Sequence, residues 1–269
     1  MKRFKNLAAA AALLAWASAC QKTEPVPVAP TEVSAEVQAR IKALGFSTEG
    51  VTRAPDGYVV AGDILLTPEH LRTQPQQEQH LRVAQAEHYR TYNSVLGLPR
   101  QITVSIDAAS FSEAYSRGLN EALRRYNAMG LRITFRRVSA NADIKILRDN
   151  SLGGLAKSPF PDNNGNPGSP VRISTNNVGS SSNSVNYLAS IISHEMGHSI
   201  GFRHTDFMDR TGSCGSGNEP TSESAGVNGA VYIPGTPSGP ESNSWMSACV
   251  ATLADFSAND KISLRYLYR

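Results

Sequence analysis

A histidine-rich segment at residues 194–204 carries the side chains best suited to chemistry, in the pattern HExxHxxGxxH. His194 and His198 are four residues apart, so on a helix both imidazoles project from one side and can bind a single metal ion. His204 completes a set of three nitrogen ligands, which is the protein shell of a catalytic zinc that keeps one position open for water. Glu195 follows the first ligand, beside that open position. The pattern therefore predicts one catalytic Zn²⁺, with Glu195 as general base for its water.

The third ligand requires a change of chain direction, because a continuous helix would carry His204 past the ion. Gly201 allows the left-handed residue that ends the helix and returns His204 to the metal. One alternative is a solvated helix whose histidines bind nothing; another is a structural zinc, although such a site is normally closed by a fourth protein ligand. The remaining histidines, His70, His80 and His88, have no ligand-like spacing and are predicted to be ordinary surface residues.

The long motif resembles that of the metzincin zinc endopeptidases, which have a methionine-bearing turn beneath the zinc. Met246, in the sequence Ser244-Trp245-Met246, lies 42 residues after His204, where the resemblance places this turn. A buried core methionine is the alternative. Within the metzincins the chain is similar to the bacterial dual-action HEIGH metallopeptidases, and Met196 replaces the isoleucine of the HEIGH pentad. The resemblance extends from about residue 35 to residue 269, and outside the pentad it rests on residues 201–206, 213–214, 233–237 and 259–262.

The resemblance implies a metzincin-like zincin fold of the α/β (α+β) class. Such a fold has a twisted mixed sheet, two main helices including the active-site helix, and a loop-rich C-terminal subdomain. The implied activity is hydrolysis of peptide bonds in protein or peptide substrates by a metal-activated water. The tyrosine that helps to hold the oxyanion in astacins corresponds to Ala248, so another group must serve that purpose. The alternative is a non-catalytic surface-binding lipoprotein on the same scaffold, which has no use for Glu195.

Hydrophobic spacing predicts the elements that position the motif. A helix that begins near Ser184 leads into the motif, and a second helix is predicted at residues 112–128. The order of strands around this second helix favours an α/β sandwich with a mixed sheet. The strands are predicted at residues 101–106, 131–136 and 142–147.

The substrate-binding edge of the sheet has a candidate in a glycine-rich segment. Metzincins add the substrate backbone as a strand at a sheet edge above the active-site helix. Gly154, Leu155 and Ala156 are predicted to form that edge strand, with a loop as the alternative. Upstream, residues 58–66 are a second strand candidate, which Gly62 interrupts.

The N-terminal residues 1–19 are typical of an export signal, with a basic start, an apolar run at residues 7–17 and small residues before Cys20. The apolar run is about half the length that crosses a membrane. Cys20 is predicted to be lipidated as in bacterial lipoproteins, with ordinary cleavage after Ala19 as the alternative. We therefore expect an exported protein, either an outer-membrane or cell-surface lipoprotein or a secreted protein, that contacts a membrane through a lipid anchor only.

Four regions are predicted along the chain. They are the signal at 1–19, the lipidated cysteine and proline-rich tether at 20–33, a possible propeptide at 34–95, and the metzincin-like zinc peptidase domain at 96–269.

The charges of the mature chain balance. Three of the 26 basic residues lie in the signal, which leaves 23 basic residues against 23 acidic residues. A neutral chain of this kind has no nucleic-acid partner, and a monomer is expected.

Cys214 and Cys249 remain as an even pair once Cys20 is lipidated. A disulfide between them would close a loop of about 35 residues and stabilise the fold by roughly 3 to 4 kcal/mol. Such a bond persists outside the cytoplasm. Two free thiols are the alternative.

Three acidic segments add further expectations. Residues 61–64 resemble the FxGDI segment of astacin propeptides, whose aspartate ligates zinc and blocks the water site. The resemblance implies that Asp63 is the latency switch of a zymogen, with an ordinary turn aspartate as the alternative.

Residues 162–166 have oxygen ligands at calcium-like spacing but lack the distal glutamate, so a surface turn is favoured over a Ca²⁺ site. Asp206 is predicted either to orient a ligand imidazole or to cap a turn.

Overall fold

The computed structural model describes residues 33–73, 88–179, 184–207, 209–215, 230–236, 241 and 243–269. The predicted export signal, the lipidation of Cys20, nearly all of the tether and the position of His80 lie outside these residues. Residues 33–269 form one compact unit.

Most of the strands belong to a single mixed sheet. The described strands are β1 (Thr52–Ala54), β2 (Gly57–Val60), β3 (Ile64–Leu66), β4 (Tyr89–Arg90), β5 (Arg100–Ile106), β6 (Ile133–Arg137), β7 (Ile144–Arg148), β8 (Ala156–Pro159), β9 (Val171–Ile173) and β10 (Val231–Tyr232). Within the described chain, eight of them form one sheet in the order β1-β2-β3-β8-β9-β7-β5-β6, and β4 pairs with β10. Strands β6, β5, β7 and β9 run parallel, whereas β8 is antiparallel to β9 and parallel to β3.

Two helices of 15 residues pack against each other beneath the sheet. The described helices are α1 (Ala35–Ala43), α2 (Pro68–Arg72), α3 (Glu113–Asn127), α4 (Thr175–Val178), α5 (Val185–Ser199), α6 (Thr211–Cys214) and α7 (Ala258–Tyr268). Gly118 allows α3 to approach α5 closely, since a Cβ atom there would lie 2.7 Å from the Cβ atom of Leu188. Helix α5 begins where the Ser184 side chain accepts a hydrogen bond from the amide of Tyr187.

The main core lies between these helices and the sheet. The alternation of β5 places Ile102, Val104 and Ile106 in it, because every second side chain of a strand points to the same face. Leu119 of α3 and Ile192 of α5 belong to the same core. Helix α5 is thereby packed against α3 and against strands β8 and β9.

The N-terminal region joins the sheet through β3. Ala61 and Gly62 both have left-handed backbone conformations, with φ of 55° and 90°, and form the turn between β2 and β3. The strand candidate at 58–66 is therefore two strands, interrupted at the glycine as predicted. A second, smaller core forms here from Ile41, Phe46, Val60, Ile64, Leu66 and Phe160.

The predicted fold class is confirmed. Helices α3 and α5 lie where the sequence places them, and β5, β6 and β7 end within two residues of their predicted limits. Beyond α5, the described elements are the short α6 and β10 and the terminal α7. Among the helices of the described residues, none has both the length and the apolar composition needed to cross a bilayer.

The predicted edge strand at Gly154, Leu155 and Ala156 requires correction. Strand β8 begins only at Ala156, and it has β3 on one side and β9 on the other. The carbonyl of Gly154 accepts a hydrogen bond of 2.7 Å from the side-chain amide of Asn177 instead of from a neighbouring strand. Gly154 and Leu155 therefore form the loop that leads into β8.

Candidate metal centre

The three predicted zinc ligands meet at one point. The Nε2 atom of His198 lies 3.1 Å from that of His194 and 3.2 Å from that of His204, and the last two are 3.3 Å apart. All three side chains are fully buried. Burial lowers the pKa of His198, and it lowers the pKa of His204 to about 3. These two imidazoles are therefore neutral at neutral pH, which is the form that binds a metal.

Backbone carbonyls fix the orientation of two of the rings. The Nδ1 atom of His194 lies 2.8 Å from the carbonyl oxygen of Trp245, and Nδ1 of His198 lies 2.8 Å from that of Phe202. A carbonyl oxygen only accepts, so each Nδ1 carries the proton and each Nε2 presents a lone pair. Lone pairs this close repel one another unless a cation lies between them. The donor set consequently fits the zinc ion that the sequence predicts.

A turn at Gly201 brings the third ligand to the other two. Gly201 has a φ of 106°, in the region that favours glycine, and the chain reverses there after the end of α5. Its carbonyl accepts a hydrogen bond of 2.8 Å from the amide of Thr91, and the amide of Arg203 donates one of 2.9 Å to the carbonyl of Tyr89. The backbone that carries His204 is thus paired with the strand residues 89–91.

Glu195 lines a cavity of about 240 Å³ beside the histidines. Its side chain is 2% exposed, and its Oε2 atom has no hydrogen-bond partner among the described residues. Burial raises the pKa of Glu195 well above its usual 4.5, and the charge of Asp63 raises it further. Ile191, Val250 and the buried Arg210 line the same cavity. The raised pKa makes Glu195 a stronger proton acceptor than an exposed glutamate.

Asp63 completes the cluster from the N-terminal region. Its Oδ2 atom lies 3.2 Å from Nε2 of His194 and 3.1 Å from Nε2 of His204, and its Oδ1 atom lies 3.6 Å from Nε2 of His198. Burial by itself raises the pKa of Asp63, but its contacts with the three imidazoles lower it by more, so the pKa lies well below 3.8. The carbonyl of Asp63 also accepts a hydrogen bond from the amide of Ser158, which fixes the turn to β8. The four side chains together could hold one metal ion.

Met246 is buried and lies against the C-terminal part of α5. A Cβ atom at Gly197 would lie 2.3 Å from the sulfur of Met246, so the helix and this turn are in close contact. Asp260 holds the turn from below by accepting hydrogen bonds from the hydroxyl of Ser244 (2.8 Å) and the amide of Trp245 (3.1 Å). The sequence singles out residues 259–262 only through the family resemblance, and it does not indicate that Asp260 holds the methionine turn.

The predicted disulfide between Cys214 and Cys249 is present, with the Cα atoms 5.1 Å apart.

Asp206 lies beside this disulfide, and none of its described hydrogen bonds is to a ligand imidazole. Its carboxylate accepts hydrogen bonds from the hydroxyl of Ser213 and from the amide of Ala248, the latter at 2.9 Å. Asp206 therefore joins the two cysteine-bearing segments to each other, which is neither of the roles predicted for it.

Two of the histidines predicted to lie on the surface are buried. His88 is 3% exposed, with Nε2 3.0 Å from a carboxylate oxygen of Glu241 and Nδ1 2.7 Å from the hydroxyl of Ser263. His70 is 8% exposed, and its Nε2 atom lies 3.3 Å from the carbonyl oxygen of Pro161. Each ring is enclosed by residues distant in sequence, so local polarity could not reveal its burial.

The segment at residues 162–166 forms the predicted surface turn. The Oδ1 atom of Asp162 accepts hydrogen bonds from the amides of Asn164 (2.9 Å) and Asn166 (2.8 Å). Its Oδ2 atom accepts from the side-chain amide of Asn166. The carboxylate is therefore used within the turn itself.

Comparison with protein families assigns the centre to a known class. Residues 58–268 match a family model of metallopeptidases, so the protein is a metallopeptidase. The family is described as dual-action HEIGH metallo-peptidase, and because the match spans most of the chain, the protein belongs to that family.

Several solved structures resemble the chain at low identity. A structure of myroilysin is 18% identical, covers 65% of this chain and 96% of its own, and has a TM-score of 0.43. A second crystal structure of myroilysin is 15% identical, covers 66% and 86%, and has a TM-score of 0.39. High choriolytic enzyme 1, a hatching enzyme zinc-protease from the medaka fish Oryzias latipes, is 17% identical, covers 63% and 90%, and has a TM-score of 0.34. The search of curated proteins gives no significant match.

Proposed function

We propose that this metallopeptidase is an endopeptidase in which Glu195 acts as the general base and Asp63 keeps the full-length chain latent. The observation that carries the proposal is the convergence of three imidazole nitrogens, together with the buried side chain of Glu195 that lines a cavity. His194, His198 and His204 are the proposed zinc ligands. Met246 supports them from below.

The metal and the side chains would contribute different parts of the hydrolysis. A bound zinc ion supplies Lewis acidity, since it lowers the pKa of a water molecule to about 7 and polarises a carbonyl group. Glu195 accepts the proton of the attacking water on Oε2 and then donates it to the nitrogen of the departing amine. The carbonyls of Trp245 and Phe202 keep the rings of His194 and His198 in position while this happens.

The substrate is proposed to bind along β8. An extended peptide can add to an exposed sheet edge through backbone hydrogen bonds. Strand β8 begins at Ala156, which lines the same cavity as Glu195, and it would become an edge strand if β3 left the sheet. The substrate-binding edge is therefore assigned to residues 156–159, with Gly154 and Leu155 as the loop at its start.

The region at residues 34–95 is proposed to be a prosegment. Asp63 lies where a fourth ligand would approach the zinc, and β3 pairs with the edge that the substrate needs, with Ile64 opposite Ser158. Both obstructions come from residues 61–66. Displacement of this one hairpin would free the metal and the substrate edge together.

The remaining proposals concern export and assembly. We assign residues 1–19 to an export signal, Cys20 to lipidation, residues 96–269 to the peptidase domain, and the protein to a monomeric, lipid-anchored or secreted form. The mass of the mature N-terminus tests the first two assignments, because acylation and cleavage after Ala19 give different masses. An unprocessed N-terminus would exclude both.

The catalytic proposal is tested with two full-length variants. Asp63→Ala is expected to hydrolyse casein faster than the wild type, and Asp63→Ala combined with Glu195→Gln is expected to retain one zinc per chain but lose at least about 100-fold of that activity. Zinc content is measured by atomic emission. Zinc bound by both variants with hydrolysis by neither would favour a non-catalytic binding protein.

A further inference from the structure

Two cations lie directly opposite each other in the sheet. Lys157 of β8 and Arg172 of β9 are register partners. Like charges at such positions destabilise a sheet, and the Lys157 side chain is also buried, with 3% exposed. A buried ammonium is costly unless an anion accompanies it. The pair is therefore suited to bind a carboxylate.

In this chain the carboxylate comes from Asp56, in the turn between β1 and β2. Its Oδ2 atom lies 3.2 Å from Nε of Arg172, and its Oδ1 atom lies 3.5 Å from Nζ of Lys157. The nearby Asp149 is engaged differently, since its carboxylate accepts hydrogen bonds from the hydroxyl and the amide of Ser151. Among the described acidic side chains, Asp56 is the one within 4 Å of both cations.

The cation pair lies along the edge that the proposed substrate would use. Lys157 lines a cavity of about 410 Å³ between β8 and the β1–β2 hairpin. That cavity and the one lined by Glu195 have Gly62, Gly154 and Ala156 in common. A peptide strand that replaced β3 would pass both cavities, and every second side chain would point to the face of the sheet that carries the two cations.

Residues 52–63 line both cavities, since Asp63 borders the cavity of Glu195 and the β1–β2 hairpin, whose turn carries Asp56, borders that of Lys157. We propose that Lys157 and Arg172 form a carboxylate-binding subsite that selects an acidic side chain of the substrate near the scissile bond. This inference rests on the proposed function. Asp56 occupies the subsite in the full-length chain, and an acidic substrate residue takes its place when the hairpin is displaced.

The test uses full-length chains with Asp56→Asn and Asp63→Ala, which remove both carboxylates that anchor residues 52–66, so that a peptide can displace this segment from β8. Glu195→Gln is added so that binding is measured without turnover. Fluorescent peptides carry glutamate or glutamine at each of six successive positions, and fluorescence anisotropy gives their affinities at low salt. At one position glutamate is expected to bind about tenfold more tightly than glutamine, because charge-assisted hydrogen bonds are stronger than neutral ones. High salt should reduce the preference.

Lys157→Gln, and separately the more exposed Arg172→Gln, should reduce that preference to less than about twofold. Lys145→Gln is the matched control, because Lys145 is an exposed lysine on β7 of the same sheet. The subsite is refuted if glutamate and glutamine bind equally at every position, if no peptide binds, or if the preference survives both substitutions. A preference for glutamate without hydrolysis of any peptide by the chain that retains Glu195 would support the subsite and refute the proposed peptidase activity.

Discussion

The carboxylate of Asp63 lies 3.1 Å from Nε2 of His204, although 141 positions separate the two residues in the chain. One turn of the N-terminal hairpin thus supplies a fourth potential ligand to a centre built by the active-site helix and the turn after it. Several measurements test this arrangement and the elements that support it.

The metal contact of Asp63 can be tested without activity. We expect the Co²⁺-loaded Asp63→Ala chain to differ from the wild type in its visible absorption spectrum, because a carboxylate ligand would be lost from the metal. Asp107→Asn is the control, since Asp107 is an exposed residue that bonds to the amide of Ala109 within its own turn. Identical spectra for wild type and Asp63→Ala would exclude Asp63 as a ligand.

A side chain at Gly197 is expected to destabilise the fold. In Gly197→Ala the added methyl group would meet the sulfur of Met246, and overpacking of this kind costs about 1 to 3 kcal/mol, partly offset by the better helix propensity of alanine. We expect a net loss of about 1 to 2 kcal/mol in the free energy of unfolding, measured by urea denaturation of the zinc-loaded chain. Gly153→Ala should change little, because nothing lies within 4 Å of its Cβ position. Equal stabilities for the two variants would contradict the close contact.

Asp260 is expected to stabilise the methionine turn. It accepts hydrogen bonds from Ser244, from the amide of Trp245 and, at 2.8 Å, from the amide of Ser257, which begins α7. Asn in its place can satisfy only part of this set, so Asp260→Asn should lower the free energy of unfolding by about 2 kcal/mol. Asp255→Asn is the control, because Asp255 is half exposed and pairs with Lys261 at the surface. If Asp260→Asn lost no more unfolding free energy than Asp255→Asn, Asp260 would not stabilise the methionine turn.

A carboxylate on α3 gives a pH-dependent prediction. Hydrogen bonds from Arg124, and also from Arg125, lower the pKa of Glu121 from 4.5 to about 2. A lowered folded-state pKa stabilises the fold above the unfolded value, and this contribution is lost as the pH falls from 4.5 toward 2. The stability difference between wild type and Glu121→Gln, measured by urea denaturation, should therefore be largest above pH 5 and shrink below it.

The matched control for Glu121 is Glu113→Gln on the same helix. The Glu113 side chain is 84% exposed, and it pairs with Arg117 at 3.8 Å. Exposed pairs of this kind contribute little, so this variant should remain close to wild type across the same pH range. A constant difference between wild type and Glu121→Gln at every pH would contradict the proposed linkage.

The local parts of the centre could be predicted from the sequence. The spacing of His194 and His198 matches one helical turn, and the glycine that redirects the chain to His204 lies between them and the third ligand. These signals span only eleven residues. The paired cysteines could also be predicted, because their number restricts the choice to one bond once Cys20 is set aside.

The non-local parts could not be predicted. Residues 156–159 contain a lysine, a serine and a proline, which do not resemble a strand, and they are buried only because β3 and β9 pair on both sides. The loop before β8 is held by the side-chain amide of Asn177, which donates to the carbonyls of Leu152 and Gly154 and lies more than 20 positions away in the chain. The burial of His88 likewise depends on Glu241 and Ser263, which lie more than 150 positions away.

The pairing of residues 89–91 with the turn at Gly201 has a consequence for maturation. Proteolytic removal of the proposed prosegment would decide whether residues 89–91 stay with the peptidase domain and keep their contacts with this turn. Trimming that stopped before Tyr89 would leave this support intact, whereas trimming beyond Thr91 would remove both hydrogen bonds to the turn. The exact place of cleavage would thereby determine how firmly the finished enzyme retains its metal.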